Sequence, residues 1–297
     1  MSFRNINWED MDRDQNTIIP NISRSGMINL IRLKIWRGQP LSTIRLGDGE
    51  MFVLLDNSPN IKRKVFEHWA TPGMSEDEAH AEATKIIITG LKNADAIGLY
   101  YYPQILEDVQ IHEDLSQAQA SERALKTMLG KERYYLPKGK LEEWGVDPTN
   151  KIFYDASMTH SFEFGYVESF RNILRGTPIH IISHHVKNFK RNKLNELLNT
   201  DITYTWFDPY GKYDAREHLI KSLEKVKEHV VMFGYSCPGK DFGVRLRERG
   251  KVVIDAGRLL DAWAGRPRNL TSLGELRGHT MIKEGIPQSD TLFLKGS

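Results

Sequence analysis

The run V-V-M-F-G-Y-S-C-P-G-K-D-F-G-V-R-L, Val230 to Leu246, decides the fold. Val230 to Tyr235 is apolar without alternation, which predicts a strand covered on both faces and therefore a parallel sheet. Gly234, Ser236, Pro238, Gly239 and Lys240 then break the apolar pattern, and a helix is expected after them. Strand, glycine-bearing turn, helix is the repeating unit of an α/β domain.

The same texture extends outward in both directions. Short β-branched or aromatic runs predict strands at Thr43 to Leu46, Ala96 to Tyr101, Lys151 to Asp155, Pro178 to Ser183, Ile202 to Phe207 and Lys251 to Ile254. Helical periods fill the intervals. Ser75 is expected to cap a helix with Glu78 reaching back, and Ala79, Ala83, Ile86, Ile87 and Leu91 fall on one face of it. A second helix is expected over Asp214 to Glu228, with Leu219, Leu223 and Val226 on one stripe. No internal repeat and no long linker appears. The expected fold is therefore α/β and Rossmann-like, a mostly parallel sheet with helices on both faces. One domain over residues 30–264 is expected, with a helical lead-in over residues 1–29 and an extension over residues 265–297.

Composition narrows the function classes. The 297 residues carry 41 Lys plus Arg against 39 Asp plus Glu, a net charge of +2, which is too balanced to indicate nucleic acid. Hydrophobic residues make up 40%, enough for a sizeable core, which argues against disorder. No apolar run approaches the roughly 20 residues that cross a bilayer, and Met1 to Asp12 lacks the blocks of a signal peptide, so a cytoplasmic protein without a membrane span is expected. Cys237 is the single cysteine, so an internal disulfide and a multi-cysteine zinc site are both excluded.

In a parallel sheet, ligands bind beyond the carboxyl ends of the strands. Four such ends carry polar residues. The first is Arg45-Leu-Gly47-Asp48-Gly49-Glu50. Asp48 and Glu50 are two apart, so in extended backbone both carboxylates face one way and could share a hard divalent cation. Turn formation and helix capping account for the same residues. Arg45 lies in an otherwise apolar strand, where a guanidinium requires an anion. The second end is Gly234 to Lys240, where a strand feeding a helix could point backbone N–H groups at a phosphate. Its spacing matches neither a dinucleotide fingerprint nor a P-loop. Cys237 there reads as a small inert residue. The third end carries Asp255 and Gly257, where the acid could take a sugar hydroxyl or cap a helix. The fourth carries Asp155, Thr159 and His160, which could contact phosphate or sugar. His184 and His185, adjacent and therefore on opposite faces, make a poor metal pair.

Taken together, these ends resemble the GT-D fold glycosyltransferases. R-L-G-D-G-E at Arg45 to Glu50 is similar to that family's R-[FY]-G-D-G-E signature. Asp95 to Pro103, Phe153 to His160 and Phe233 to Leu259 follow in the family's order, the last ending on an I-D-x-G strand end. The resemblance spans about residues 30–264. It implies that Asp48 and Glu50 hold Mn²⁺ or Mg²⁺, that Arg45, Gly47 and Gly49 shape the loop, and that Gly234 and Ser236 meet the donor phosphates. Gly239, Lys240, Thr159, His160 and Arg258 join the donor-binding candidates. Arg258 departs from the family's usual His, and Cys237, Pro238 and Gly239 replace its small apolar residues.

The function expected is metal-dependent transfer of a hexose from a nucleoside diphosphate sugar, a UDP-sugar above all, to a glycan or glycoprotein hydroxyl. Asp155 or Asp255 would act as the base. A nucleotide or nucleotide-sugar hydrolase on the same sheet is the alternative. A nucleic-acid acceptor stays open because the tail after Trp263 is basic, and a homo-oligomer is a further expectation.

Overall fold

The computed structural model describes residues 18–99, 136–156, 173–174, 176–184, 195, 198–207, 219–257 and 259–260, and of Asp48 and Pro238 the backbone alone. The seven strands are β1 (Leu41–Arg45), β2 (Ala96–Leu99), β3 (Ile152–Asp155), β4 (Ile179–Ile182), β5 (Ile202–Thr205), β6 (Val230–Phe233) and β7 (Val252–Asp255). They form one sheet in the order β3-β2-β1-β7-β6-β4-β5, and every pairing is parallel. Each expected strand is present. Continuous burial of β1, β2, β4, β6 and β7 is the reason, since both faces of these strands are covered.

Helices described over their whole length are α1 (Arg24–Trp36), α2 (Asp48–Leu55), α3 (Pro59–Trp69), α4 (Glu76–Asn93), α5 (Lys138–Glu143) and α6 (Phe242–Glu248). Ser23 caps α1 by accepting from the Gly26 amide at 3.1 Å. Met27, Ile31 and Ile35 of α1 then pack on Leu41, Ala96, Val252 and Ile254. Burying a side chain such as Ile31 stabilises the fold by roughly 1.5–3 kcal/mol. The helix runs through the expected boundary between residues 29 and 30, because its apolar stripe belongs to the sheet's core. On the opposite face, Ala79, Ala83, Ile87 and Leu91 of α4 pack with Ile44 and Ile97. Ser75 closes the expected capping box, with the Ser75 amide donating to Glu78 Oε2 at 2.7 Å and the Glu78 amide to Ser75 Oγ at 3.3 Å.

The helix expected over Asp214 to Glu228 differs. Residues 219–223 are helical, and the chain then turns, with Lys225 N donating to Ser222 O and Val226 N to Leu223 O. These three-residue closures replace helical ones, so the helix ends before Glu224; residues 214–218 lie outside the described residues. Leu219 and Leu223 are nevertheless buried as the stripe required.

Candidate active site

From β1 the chain winds to β2 and β3 on one side, while β7, β6, β4 and β5 lie on the other. The order reverses between β1 and β7, so a crevice is expected beyond their carboxyl ends. Arg45 ends β1 and Asp255 ends β7, and the two meet there.

Asp255 is the hub. Its Oδ2 accepts from the Arg45 backbone N–H at 2.9 Å and from Lys240 Nζ at 2.6 Å, while Arg45 Nε lies 3.5 Å from Oδ1. The Asp255 amide donates to Thr43 Oγ1 at 3.2 Å, which ties β7 to β1 beyond their ladder. Burial pushes the Asp255 carboxyl up, but the Lys240 and Arg45 charges outweigh it and the pKa is lowered. A carboxylate 2% exposed and held ionised by two cations is a poor proton acceptor, so its geometry is that of a positioning group. Gly257 completes the arrangement. It adopts φ +47°, and an added Cβ would lie 1.5 Å from Arg45 Nη2, so the guanidinium crosses the chain where only glycine leaves room.

Glu50 approaches from the first turn of α2. Its Oε2 accepts from the Gly47 amide at 2.8 Å, and its Oε1 lies 3.2 Å from Lys240 Nζ. Gly47 is needed sterically, since a Cβ there would stand 2.8 Å from Glu50 Oε2. Lys240 is 2% exposed, and burial alone would push its ammonium pKa down. The charges of Asp255 and Glu50 prevail, and the pKa is raised. Arg45, Glu50, Lys240 and Asp255 thus form a buried cluster of two cations and two anions.

Other candidates fall in different surroundings. Gly234 N donates to Ile182 O, Gly239 N to Tyr235 O and Lys240 N to Cys237 O, so these three amides already serve the fold. A Cβ on Gly234 would meet Gly257 O at 3.0 Å, and one on Gly239 would meet Tyr235 Cβ at 2.9 Å. In this arrangement the glycines permit internal packing and Lys240 faces carboxylates. Ser236 remains exposed in that loop at φ 29°, ψ −151°, a strained conformation for a residue with a side chain. Cys237 is fully buried, which with the Glu50 charge pushes its thiol well up and makes it inert as read. Asp155 accepts from Arg24 Nε at 2.6 Å, 3% exposed. Its strand is three positions from β7, roughly 14 Å at the usual strand spacing, so it does not join the Asp255 cluster. An added Cβ on Gly49 meets nothing within 4 Å. Thr159, His160, His185, Arg258 and the side chain of Asp48 lie outside the described residues.

The sequence reading missed Thr43, Arg24 and Tyr154. Arg24 sits in the segment set aside as a lead-in. Tyr154 is buried and donates to Ile44 O at 3.3 Å across β2, passing over Gly98, where a Cβ would come 2.6 Å from its ring. The glycine in the β2 run was the available signal for that close approach.

The divalent cation implied by the signature can be tested on the donor set. Each oxygen of Glu50 and of Asp255 has a partner, and the ammonium of Lys240 stands between the two carboxylates. Among the described residues no group of three or more His, Cys, Asp or Glu could hold a metal. Of the signature's two acids, the described residues include the side chain of Glu50 alone.

Comparison with known proteins adds the following. A family model described as a GT-D fold-like domain matches residues 22–263. A solved structure of the highly conserved domain of unknown function 1792, described as having a distinct glycosyltransferase fold, superposes with a TM-score of 0.57 at 13% identity, covering 89% of this chain and 88% of that one. A selenomethionine form of a domain of unknown function 1792 gives 0.54 at 13% identity over the same shares. At that identity the likeness is one of fold. No curated protein matches the sequence.

Proposed function

The chain belongs to the GT-D fold-like domain family, and from that premise we propose that it is a glycosyltransferase using a nucleoside diphosphate sugar, with a UDP-sugar as first candidate. The observation that carries the reading is the junction of Arg45 with Asp255 at the point where strand order reverses. The family-like signature at the end of β1 and the I-D-A-G end of β7 meet where ligands of parallel sheets bind.

In the proposed reaction the bond from the sugar's anomeric carbon to the diphosphate oxygen breaks, and a bond to an acceptor hydroxyl oxygen forms. The acceptor's proton leaves with a base, and the diphosphate departs with the electron pair. The acceptor proposed is a glycan or glycoprotein hydroxyl. Asp255 and Glu50 hold the loop, and Arg45 supplies fixed positive charge at its edge. Ser236, exposed and strained in the loop that carries Lys240, is the hydroxyl proposed to meet the diphosphate; strained backbone of this kind gathers at binding sites.

The test is a thermal-shift panel of nucleoside diphosphates and their sugars on the full chain, followed by mass analysis of products. A rise in melting temperature with one nucleoside diphosphate family supports the donor site. Free sugar released without any acceptor at the rate of donor loss would replace transfer with hydrolysis. A chain that responds to no nucleoside diphosphate refutes the reading.

A further inference from the structure

We propose that the outward face at the end of α1, where Trp36 and Leu33 stand between Arg32 and Arg37, docks this chain on an anionic lipid bilayer. The inference is independent of the donor reading above.

Helical geometry assembles the patch. At roughly 100° per residue, Arg32, Trp36, Leu33 and Arg37 follow one another in that order around α1 and its C-cap, within an arc of roughly 140°. Met27, Ile31 and Ile35 take the opposite side and are buried in the core, so this arc is turned away from the sheet. Trp36 is 80% exposed, more than any other large hydrophobic side chain among the described residues, and Leu33 is exposed beside it. Both arginines are exposed as well. An apolar pair flanked by guanidinium groups suits a lipid–water interface: the indole enters the boundary of the acyl chains, while the arginine stems lie along the apolar surface and their heads meet headgroup phosphates.

Charge decides the occupant. From Gln15 to Gly47 the chain contains no Asp or Glu, and its basic residues there are Arg24, Arg32, Lys34, Arg37 and Arg45. Arg24 and Arg45 turn inward to Asp155 and Asp255, whereas neither Arg32 nor Arg37 has an acidic partner among the described residues. A second copy placed patch to patch would set these cations against themselves, which opposes a symmetric dimer through this face. Single-stranded nucleic acid is held in grooves that track its backbone, and this patch projects from a helix end. An anionic bilayer supplies both negative headgroups for the arginines and an apolar layer for Trp36. Placement agrees with this. α1 ends where β1 begins, and Arg45 stands at the crevice at the other end of β1, five residues or roughly 17 Å away. A chain docked through Trp36 therefore keeps its crevice clear of the lipid.

The test uses the full chain, with neither nucleotide nor metal added, and co-sedimentation with phosphatidylcholine vesicles that contain or lack phosphatidylglycerol. Binding is expected only where phosphatidylglycerol is present, and it should weaken as added salt screens the charges. Arg32→Gln combined with Arg37→Gln should lower the partition coefficient more than about tenfold, since each basic residue near such a surface contributes about fivefold. Trp36→Ala should lower it as well. All three side chains are exposed, so melting temperatures should stay at the wild-type value. Bromine-labelled acyl chains should quench the tryptophan fluorescence of the wild type more than that of Trp36→Phe, which reads insertion of this one indole. A wild type that does not sediment with the phosphatidylglycerol vesicles overturns the proposal. So does binding that Trp36→Ala and the double variant leave unchanged, or quenching equal in wild type and Trp36→Phe. Retention of oligothymidylate without vesicle binding, lost in the double variant, would give the patch to nucleic acid instead. A dimer that Trp36→Ala dissolves, again without vesicle binding, would give it to a second copy, and either result refutes lipid docking.

Discussion

Gly257 is where one missing methyl decides the site. Ala at this position would meet Arg45 Nη2 and would also have to hold φ +47°, which an L side chain adopts at a cost of about 1–2 kcal/mol before any steric term. Gly257→Ala is expected to lose at least about 2 kcal/mol of stability by urea unfolding, with the loss reduced when Arg45→Ala is combined with it. Ser236 works in the opposite direction. Ser236→Gly relieves a strained φ of 29°, so denaturation should show a gain of about 1 kcal/mol. If its hydroxyl meets the diphosphate, as proposed, that stabler variant should lose nucleotide affinity, and unchanged affinity would remove Ser236 from the site. Gly234→Val carries no such information, because its first contact is the Gly257 carbonyl oxygen rather than a ligand.

Among the elements, α4 and β3 depend on local features that can be removed singly. The Ser75 and Glu78 capping box satisfies donors at the start of α4, and Ser75→Ala should cost about 1 kcal/mol by thermal or urea unfolding. Because Lys240 packs against Gly90 of the same helix, the loss should remain one of stability, with nucleotide response intact at low temperature. Tyr154 links β3 to β1 over Gly98. Its phenol is held protonated by burial first, with the Asp255 charge adding to it. Tyr154→Phe should cost about 1 kcal/mol, the usual net contribution of one hydrogen bond. Gly98→Ala should cost more than Tyr154→Phe, since the added Cβ would displace the whole ring.

At the scale of the molecule, buried titratable groups set the pH range of stability. His180 lies in β4 with Nδ1 2.6 Å from Thr203 Oγ1 and Nε2 2.8 Å from Thr205 Oγ1. Burial lowers its pKa, Glu228 opposes the shift and Lys251 adds to it. The unfolded chain then binds a proton that the folded chain does not, in the window from about pH 6.5 down to the lowered folded value. Stability should therefore fall as pH drops below about 6.5, and His180→Gln should flatten that slope in melting temperatures measured from about pH 7.5 to 5. His80, also lowered chiefly by burial, leaves a residual slope in the variant. Asp255 and Lys240 act outside this window. Asp255, with its pKa lowered, contributes stability above about pH 4 that is lost as pH falls through its folded value. Lys240, with its pKa raised, contributes stability below about pH 10 that is lost as pH rises through its folded value.

Much of this architecture could be read in the chain itself. Continuous apolar runs such as Val230 to Phe233 specify strands buried on both faces, and such strands pair in parallel because helices must cover them. The Ser75 box and the Ala79 to Leu91 stripe specify α4 down to its cap, since capping and periodicity are local properties. Arg45, Glu50, Lys240 and Asp255 were all legible as polar residues at strand ends. Their partners were not. Arg45 and Asp255 are 210 residues apart, and only the strand order that sets β7 beside β1 turns two isolated charges into a pair. Likewise the sequence offers Lys240 as a surface cation for phosphate. The packing of Gly90 against its backbone, with Glu50 and Asp255 converging on its Nζ, makes it a buried counter-ion. Local pattern determines which residues form strands and helices, whereas the sign and exposure of a charge's surroundings depend on contacts that exist only once distant strands have paired.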